Sequence, residues 1–144
     1  MIESNRSYSR LAIDLIFNKT KAAMQKAALI RGGDGLALYI DCYTGKTLRG
    51  GDPYDYEHIR SSEEIHSKYK SILTDDQIAI VVNCTENVGV TLTFINKSKG
   101  KRRMEDWLSN PGNIVVNGID LKLTFANLKK ADEGIERMVK SLVK

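Results

Sequence analysis

The change in apolar spacing along the chain is the feature that most constrains its fold. Over residues 7–30 apolar side chains recur at helical spacing, which predicts an amphipathic helix that ends at Gly32-Gly33. The chain then changes to short apolar segments of strand length, beginning with residues 36–40, and turn-forming residues separate them. A long helix combined with short strands predicts the α+β class.

The middle of the chain predicts two further strands and two short helices. Residues 54–59 and 88–94 are predicted strands, the second because β-branched residues alternate along it. Ser61, with acidic residues in the next turn, predicts a helix start. Thr74 predicts a cap for a helix that includes residues 78–82, although that apolar run also has the length of a strand.

The C-terminal part predicts a hairpin followed by a helix. Asn117-Gly118 is a strong two-residue turn signal, so residues 114–116 and 119–125 are predicted to pair as antiparallel strands. Apolar spacing over residues 128–143 predicts the closing helix. These two elements could recognise DNA, form a dimer or complete the core, and the sequence leaves the three roles open.

Length and composition favour one folded domain spanning residues 1–144. No apolar run approaches the roughly 18 residues that span a bilayer, and residues 1–6 lack the order of a signal peptide. We therefore expect a cytoplasmic protein without a membrane partner. Cys42 and Cys84 are the only cysteines, and a tetrahedral zinc site needs paired ligands at short spacing, so no structural zinc is expected.

The polar residues with the clearest chemical potential lie between residues 56 and 100. Glu57 precedes His58, and two asparagines, Asn87 and Asn96, follow nine positions apart. Histidine has an unperturbed pKa of about 6.5 and accepts a proton near neutral pH. Carboxylate and amide oxygens suit a hard ion such as Mg²⁺. Neighbours on a strand point to opposite faces, so the carboxylate and the imidazole can serve different roles.

This combination, with the Asn-Lys-Ser-Lys-Gly sequence at residues 96–100, resembles the HNH family of nucleases over about residues 42–108. The resemblance implies a ββα-metal core, in which two strands and a helix hold one metal ion. The expected fold is that core with an N-terminal helix and a C-terminal hairpin plus helix. The resemblance also implies His58 as general base and Glu57 and Asn96 as ligands of Mg²⁺, with Mn²⁺ as the alternative. Asn87 would brace the loop after the histidine through backbone hydrogen bonds.

One residue departs from the family pattern. The acidic neighbour of the histidine is more often aspartate, whereas Glu57 is one methylene longer, so the ion would sit differently or be bound through water. Asp55, two residues earlier on the same strand face, is the alternative carboxylate. His66 lies on a predicted surface helix without a ligand partner at metal spacing, so His58 is the preferred base.

A cluster of basic residues adjoins this motif. The net charge is +4, and five of the seven residues from 97 to 103 are basic. Such a cluster beside an active site favours contact with nucleic-acid phosphates, although a solvated helix face explains it too. The predicted nucleic-acid contacts are Lys97, Lys99, Lys101, Arg102 and Arg103.

The resemblance therefore implies a metal-dependent endonuclease that hydrolyses DNA phosphodiester bonds, of phage or restriction type. A toxin nuclease domain is the alternative, and RNA is not excluded as a substrate. Two other classes remain open. One is a nucleic-acid-binding module that keeps the fold without the chemistry, and the other is an interaction or immunity-type protein in which the motif is coincidental. A homodimer is also open.

Overall fold

Residues 2–144 are described by a computed structural model, and their mixed helix and strand content confirms the α+β class. Within this range the chain forms seven α-helices, one short 3-10 turn and two antiparallel sheets of two strands each. In chain order the elements are α1 (Arg10–Gly32), β1 (Leu38–Ile40), β2 (Thr47–Arg49), β3 (Tyr54–His58), α2 (Ser62–Tyr69), α3 (Asp75–Val82), the 3-10 turn (Thr85–Asn87), β4 (Val88–Leu92), α4 (Thr93–Lys99), α5 (Met104–Leu108), α6 (Pro111–Asn117) and α7 (Leu121–Leu142).

The N-terminal helix α1 forms as predicted, and local groups close both of its ends. Ser9 Oγ accepts a hydrogen bond from the Ala12 backbone amide at 3.1 Å, which satisfies an amide of the first turn. Gly33 ends the helix in the left-handed region, with φ of 75°. The helix packs along α3 and against β1. Its inner face, including Ile13 and Ala28, is buried there.

The second sheet pairs two strands that are distant in sequence. β3 pairs with β4 in antiparallel register, from Tyr54 opposite Leu92 to His58 opposite Val88, although α2 and α3 lie between them in the chain. α4 begins directly after β4, so the strand predicted over residues 88–94 ends earlier, and α4 packs on both strands. Because side chains alternate along a strand, Glu57 faces α4 whereas His58 faces α1.

Local capping explains the two short helices between these strands. Ser61 Oγ accepts from the Glu64 amide at 3.1 Å at the start of α2, as predicted. Thr74 and Gln77 form a reciprocal capping box at the start of α3. Residues 78–82 are therefore helical, and the alternative that they form a strand is wrong.

The predicted C-terminal hairpin is wrong, because residues 114–116 lie in α6 and residues 121–125 lie in α7. Asn110 caps α6, with Pro111 at its first position, and Gly118 ends it in the left-handed region at φ 63°. Asp120 Oδ1 then accepts from the Leu123 amide at 3.0 Å and starts α7, seven residues before the predicted helix. An Asn-Gly pair supplies the positive φ that a helix terminus needs just as it supplies a hairpin turn.

Three groups of buried apolar side chains hold these elements together. The first lies between α1, α2, α3 and the end of α7, and includes Leu73 and Val82. The second lies beneath α4 and α5 and surrounds Trp107, which is fully buried. The third joins α1 to β1 and β2 around Tyr39. Among residues 2–144 no helix has the length and apolar character needed to cross a membrane.

Candidate active site

An open cleft of about 230 Å³ lies where β3, α1 and α4 meet. Glu57 and His58 line it from β3, Asn96 lines it from α4, and Phe17 lines it from α1. Residues distant in sequence therefore surround one space, because the pairing of β3 with β4 brings α4 back over the strand that carries Glu57. The remaining lining residues are Tyr8, Tyr56, Ser61, Ser62, Glu63, Gly100 and Lys101.

His58 is held between two helices. Its Nε2 lies 2.7 Å from Asn83 Oδ1, in the residue that follows α3. Its ring packs on the Phe17 ring of α1, with a distance of 4.2 Å between the ring centroids. Burial lowers the pKa of His58 below its ordinary value, and the hydrogen bond to Asn83 opposes that shift. The imidazole is consequently neutral at neutral pH, which is the form that accepts a proton.

Glu57 is almost completely buried and carries one oxygen without a partner. Its Oε1 lies 3.3 Å from the Lys99 ammonium, and only 4% of the Glu57 side chain and 2% of the Lys99 side chain are exposed. Its Oε2 has no hydrogen-bond partner within residues 2–144. Burial raises the pKa of Glu57, and the nearby Lys99 ammonium works against that rise. The Tyr43 hydroxyl, which also lacks a hydrogen-bond partner within residues 2–144, lies nearby and lowers that pKa as well. A buried oxygen without a partner is uncommon in folded proteins, and the Tyr43 hydroxyl and a bound ion are the two candidates to satisfy it.

The prediction that Lys99 contacts nucleic-acid phosphates is wrong, because its side chain is buried against Glu57. Lys99 lies three residues after Asn96 on α4, and residues at that spacing share one helix face. That face packs on β3. A run of basic residues in the sequence does not distinguish this inward-facing lysine from its exposed neighbours.

Asn96 is oriented by Asp55, the alternative carboxylate of the sequence analysis. Asn96 Nδ2 donates to Asp55 Oδ2 at 2.9 Å. Thr93 Oγ1 donates to the other Asp55 oxygen, also at 2.9 Å. The amide nitrogen of Asn96 is therefore committed to Asp55, whereas its Oδ1 makes no hydrogen bond to the described residues. Asp55 thus supports Asn96 from the strand that also carries Glu57.

The Asn87 side chain hydrogen-bonds the backbone of the loop that follows His58. Its Oδ1 accepts from the Arg60 amide at 2.7 Å, and its Nδ2 donates to the Arg60 carbonyl at 3.0 Å and to the Val82 carbonyl at 2.8 Å. Asn87 is completely buried. These are hydrogen bonds of the kind that the family resemblance implies for this asparagine. They hold the Arg60 backbone, two residues beyond His58, against the 3-10 turn that carries Asn87.

Two residues of this region were missed by the sequence analysis. Arg60 is buried, and its guanidinium binds Glu105 at 2.7 Å and Asp132 at 2.8 Å, which anchors the loop after His58 to α5 and α7. Asn83 holds the His58 ring. The partners lie 45, 72 and 25 positions apart in sequence, so local spacing carries no signal for any of these contacts.

His66 is buried in α2, which differs from its predicted surface position. Its ring meets the edge of Tyr8, with 6.0 Å between the ring centroids. Burial lowers its pKa, and the nearby Arg6 and Lys70 charges add to that effect. His66 does not line the cleft that holds His58.

The other predicted nucleic-acid contacts lie on the surface, and Lys101 is the one of them that lines the cleft. Lys97, Lys101, Arg102 and Arg103 are exposed. Lys101 lines the cleft and lies 3.5 Å from Glu63, although both side chains are largely in solvent. Arg102 donates to backbone carbonyls at the end of α4. Arg103 pairs with Glu105 at 3.3 Å. These four exposed side chains, called the basic rim below, present positive charge, part of it paired locally.

The cleft contains oxygen donors of the types that the family resemblance implies as ligands of a divalent ion. Within residues 2–144 no group of three or more His, Cys, Asp or Glu side chains has the arrangement of a metal site. The implied ligands are one carboxylate and one amide, and each has a free oxygen, namely Glu57 Oε2 and Asn96 Oδ1. Hard oxygen donors of this kind suit Mg²⁺ or Mn²⁺.

Comparison with protein-family models, curated proteins and solved structures finds no match for this chain. The α+β class rests on the helices and strands themselves. An activity is therefore inferred from the side chains of the cleft and from the elements that carry them.

Proposed function

We propose that this protein is a divalent-metal-dependent endonuclease of HNH type that hydrolyses DNA phosphodiester bonds. The observation that carries the proposal is the succession of β3, β4 and α4 with Asn87 bound to the loop behind His58. Two paired strands followed by a helix, with this asparagine behind the histidine, support the proposal of a ββα-metal core in which α2 and α3 are inserted between the strands. Glu57, His58 and Asn96 line one cleft, which supports the proposal.

His58 is the general base of the proposed reaction. Hydrolysis of a phosphodiester requires that water lose a proton as its oxygen attacks phosphorus. His58 lines the cleft, and burial keeps its pKa low, so the neutral imidazole is available to take that proton. Asn87 acts on the reaction through the backbone that follows His58, by limiting where the imidazole can lie. It is a positioning residue.

Glu57 and Asn96 are the proposed ligands of the divalent ion, Mg²⁺ first and Mn²⁺ as the alternative. Glu57 would bind through Oε2, since Lys99 already holds Oε1. Asn96 would bind through Oδ1, since Asp55 holds its amide nitrogen. A bound divalent ion offsets the negative charge that develops on the phosphate during hydrolysis. Lys99 would keep the Glu57 side chain in place for this role.

The nucleic acid would lie along the basic rim of the cleft. Lys97, Lys101, Arg102 and Arg103 are exposed there, and Lys101 reaches the cleft itself. Lysine and arginine contacts to phosphates give affinity without base specificity. DNA is the proposed substrate, and RNA is the competing substrate to test. The proposed biological setting is a phage or restriction system.

A plasmid-nicking assay tests the proposal. Purified protein should nick supercoiled DNA with Mg²⁺ and should not do so with EDTA. His58→Ala should reduce cleavage by about 10²–10⁴-fold, because loss of a general base typically has that effect. His66→Gln is the matched control, since His66 is the other histidine of the chain and lies outside the cleft. It should cleave like wild type.

Two outcomes would contradict this function. DNA binding without metal-dependent cleavage would mean that the protein is a binding module. Normal cleavage by His58→Ala, with loss of cleavage in a folded His66→Gln, would mean that the active site has been assigned to the wrong histidine.

A further inference from the structure

Asn83 contacts His58 directly, although it lies outside the HNH-like residue pattern. It is the residue that follows α3, and only 4% of it is exposed. Its Oδ1 lies 2.7 Å from His58 Nε2. Two orientations of the asparagine amide and two neutral forms of the imidazole are conceivable for such a pair. The remaining contacts of Asn83 decide between them.

The other end of the Asn83 amide faces two carbonyl groups. Nδ2 lies 3.0 Å from the Ile13 carbonyl oxygen of α1 and 2.9 Å from the Ala79 carbonyl oxygen of α3. A carbonyl oxygen only accepts hydrogen bonds, so the group that faces both must be the NH₂ group. The atom that faces His58 is therefore the amide oxygen, which also only accepts. His58 Nε2 must carry the proton of this hydrogen bond.

We propose that Asn83 is the positioning residue that holds His58 with its proton on Nε2, so that Nδ1 is the atom that acts as base. Nδ1 makes no hydrogen bond within residues 2–144, and His58 lines the cleft. Phe17 packs on the ring from α1, which limits rotation away from Asn83. The role of Nδ1 as base rests on the proposed function, whereas the hydrogen bond to Asn83 does not.

Each proton and bond in the proposed hydrolysis step is accounted for. The water oxygen forms a bond to phosphorus while one water proton passes to Nδ1, and the bond from phosphorus to the leaving oxygen breaks with its electron pair on that oxygen. The leaving oxygen takes a proton from solvent, and His58 later returns its proton to solvent. Asn83 Oδ1 accepts from Nε2–H throughout, so it stabilises the imidazolium that forms as well as the neutral ring.

Nitrogen-15 NMR of histidine-labelled protein at mildly alkaline pH tests the hydrogen bond without reference to activity. The chain has two histidines, and His66→Gln assigns the remaining signals to His58. We expect Nε2 to be protonated, with a ring proton that exchanges slowly with water, and Nδ1 to be unprotonated. Protonated Nδ1 with bare Nε2, or a rapidly exchanging Nε2 proton, would overturn the proposal. Asn83 is unchanged in this measurement, so the result does not require that an Asn83 variant fold.

Kinetics of Asn83→Leu test the consequence for catalysis. Loss of a residue that orients a catalytic group often reduces activity by 10–100-fold, so we expect kcat to fall by about that factor with KM unchanged. Asn127→Ala is the matched control, because the Asn127 amide also donates to a backbone carbonyl, that of Cys42, away from the cleft. Asn83→Leu should also lose the slowly exchanging His58 proton, whereas Asn127→Ala should keep it.

The outcomes separate this inference from the proposed function. If Asn83→Leu loses no more kcat than Asn127→Ala, Asn83 is structural only and the inference fails, while the nuclease remains. If wild-type protein does not cleave DNA, the proposed function fails, and the NMR result still decides whether Asn83 holds the Nε2–H form of His58.

Discussion

Replacement of Lys99 by methionine is the most informative test of the buried charges behind the cleft. The substitution keeps an unbranched side chain that reaches to Cε and removes the ammonium group. Glu57 would then keep a carboxylate in a site where 4% of its side chain is exposed, with Oε1 and Oε2 both lacking a partner among the described residues. We expect a large loss of stability, although Lys99 belongs to a basic run that looks like surface in the sequence.

The expected magnitude follows from the burial of both groups. Removing one partner of a buried ion pair costs about 3–5 kcal/mol, because the remaining charge is left without compensation. The raised pKa of Glu57 acts in the other direction, since a carboxyl that takes up a proton avoids part of that cost. We therefore expect a loss of about 3 kcal/mol, at the low end of that range. Total stabilities are about 5–15 kcal/mol, so the effect is easily measured.

Urea unfolding followed by tryptophan fluorescence provides the assay. Trp107 is the only tryptophan of the chain and is fully buried, so its emission reports loss of the core beneath α4 and α5. Lys97→Met is the matched control, because Lys97 lies on the same helix and is exposed. Its free energy of unfolding should change by no more than about 0.5 kcal/mol.

A second variant distinguishes stability lost through an unpaired charge from stability lost through altered packing. Lys99→Met combined with Glu57→Gln removes both charges and should recover most of the lost stability, since apolar or neutral replacement of a buried pair is often close to neutral. If Lys99→Met is no less stable than Lys97→Met, the buried pair does not exist in solution. If the double variant is no better than Lys99→Met, the loss comes from packing and the charge argument fails.

Three further predictions concern pH, DNA contact and the C-terminal helix. Burial lowers the pKa of His66 in the folded state, so the free energy of unfolding should fall as pH drops below about 6.5, the pKa of a histidine in the unfolded chain. His66→Gln should reduce that fall, and an unchanged pH dependence in the variant would contradict this prediction. Lys97→Ala and Lys101→Ala should each reduce the magnitude of the negative slope of log K against log salt by about 0.9 per lost phosphate contact, measured by DNA titration with Ca²⁺, and an unchanged slope would exclude the basic rim. Asp120→Ala should cost about 1 kcal/mol in urea unfolding because it removes the cap of α7 at Leu123, whereas a residue in a hairpin strand would show no such loss.

Elements closed by short-range contacts could be predicted from the sequence. Ser9, Ser61 and Thr74 each cap a helix by accepting an amide three residues later. Both partners of such a bond lie within one helical turn, so the residue pattern contains the whole interaction. The same holds for Glu57 and His58, whose opposite faces follow from their adjacency on a strand.

Asn117-Gly118 marks the limit of that reasoning. Gly118 has the positive φ that the turn signal predicts, yet it ends α6 instead of joining two strands. A left-handed glycine satisfies both structures, so local conformation alone does not choose between them. Asn110 and Asp120, which cap the helices on either side, and the burial of Leu128 and Ala131 on α7 favour the helical outcome.

The burial of Lys99 and the position of Asn83 were decided by tertiary structure alone. Lys99 differs from its basic neighbours only because its helix face meets β3, and that contact exists once β4 has paired with β3. Asn83 reaches His58 across 25 positions of sequence and Ile13 across 70. Bonds of this range depend on the packing of α1, α3 and β3 together, and no spacing of residue types along the chain encodes that geometry.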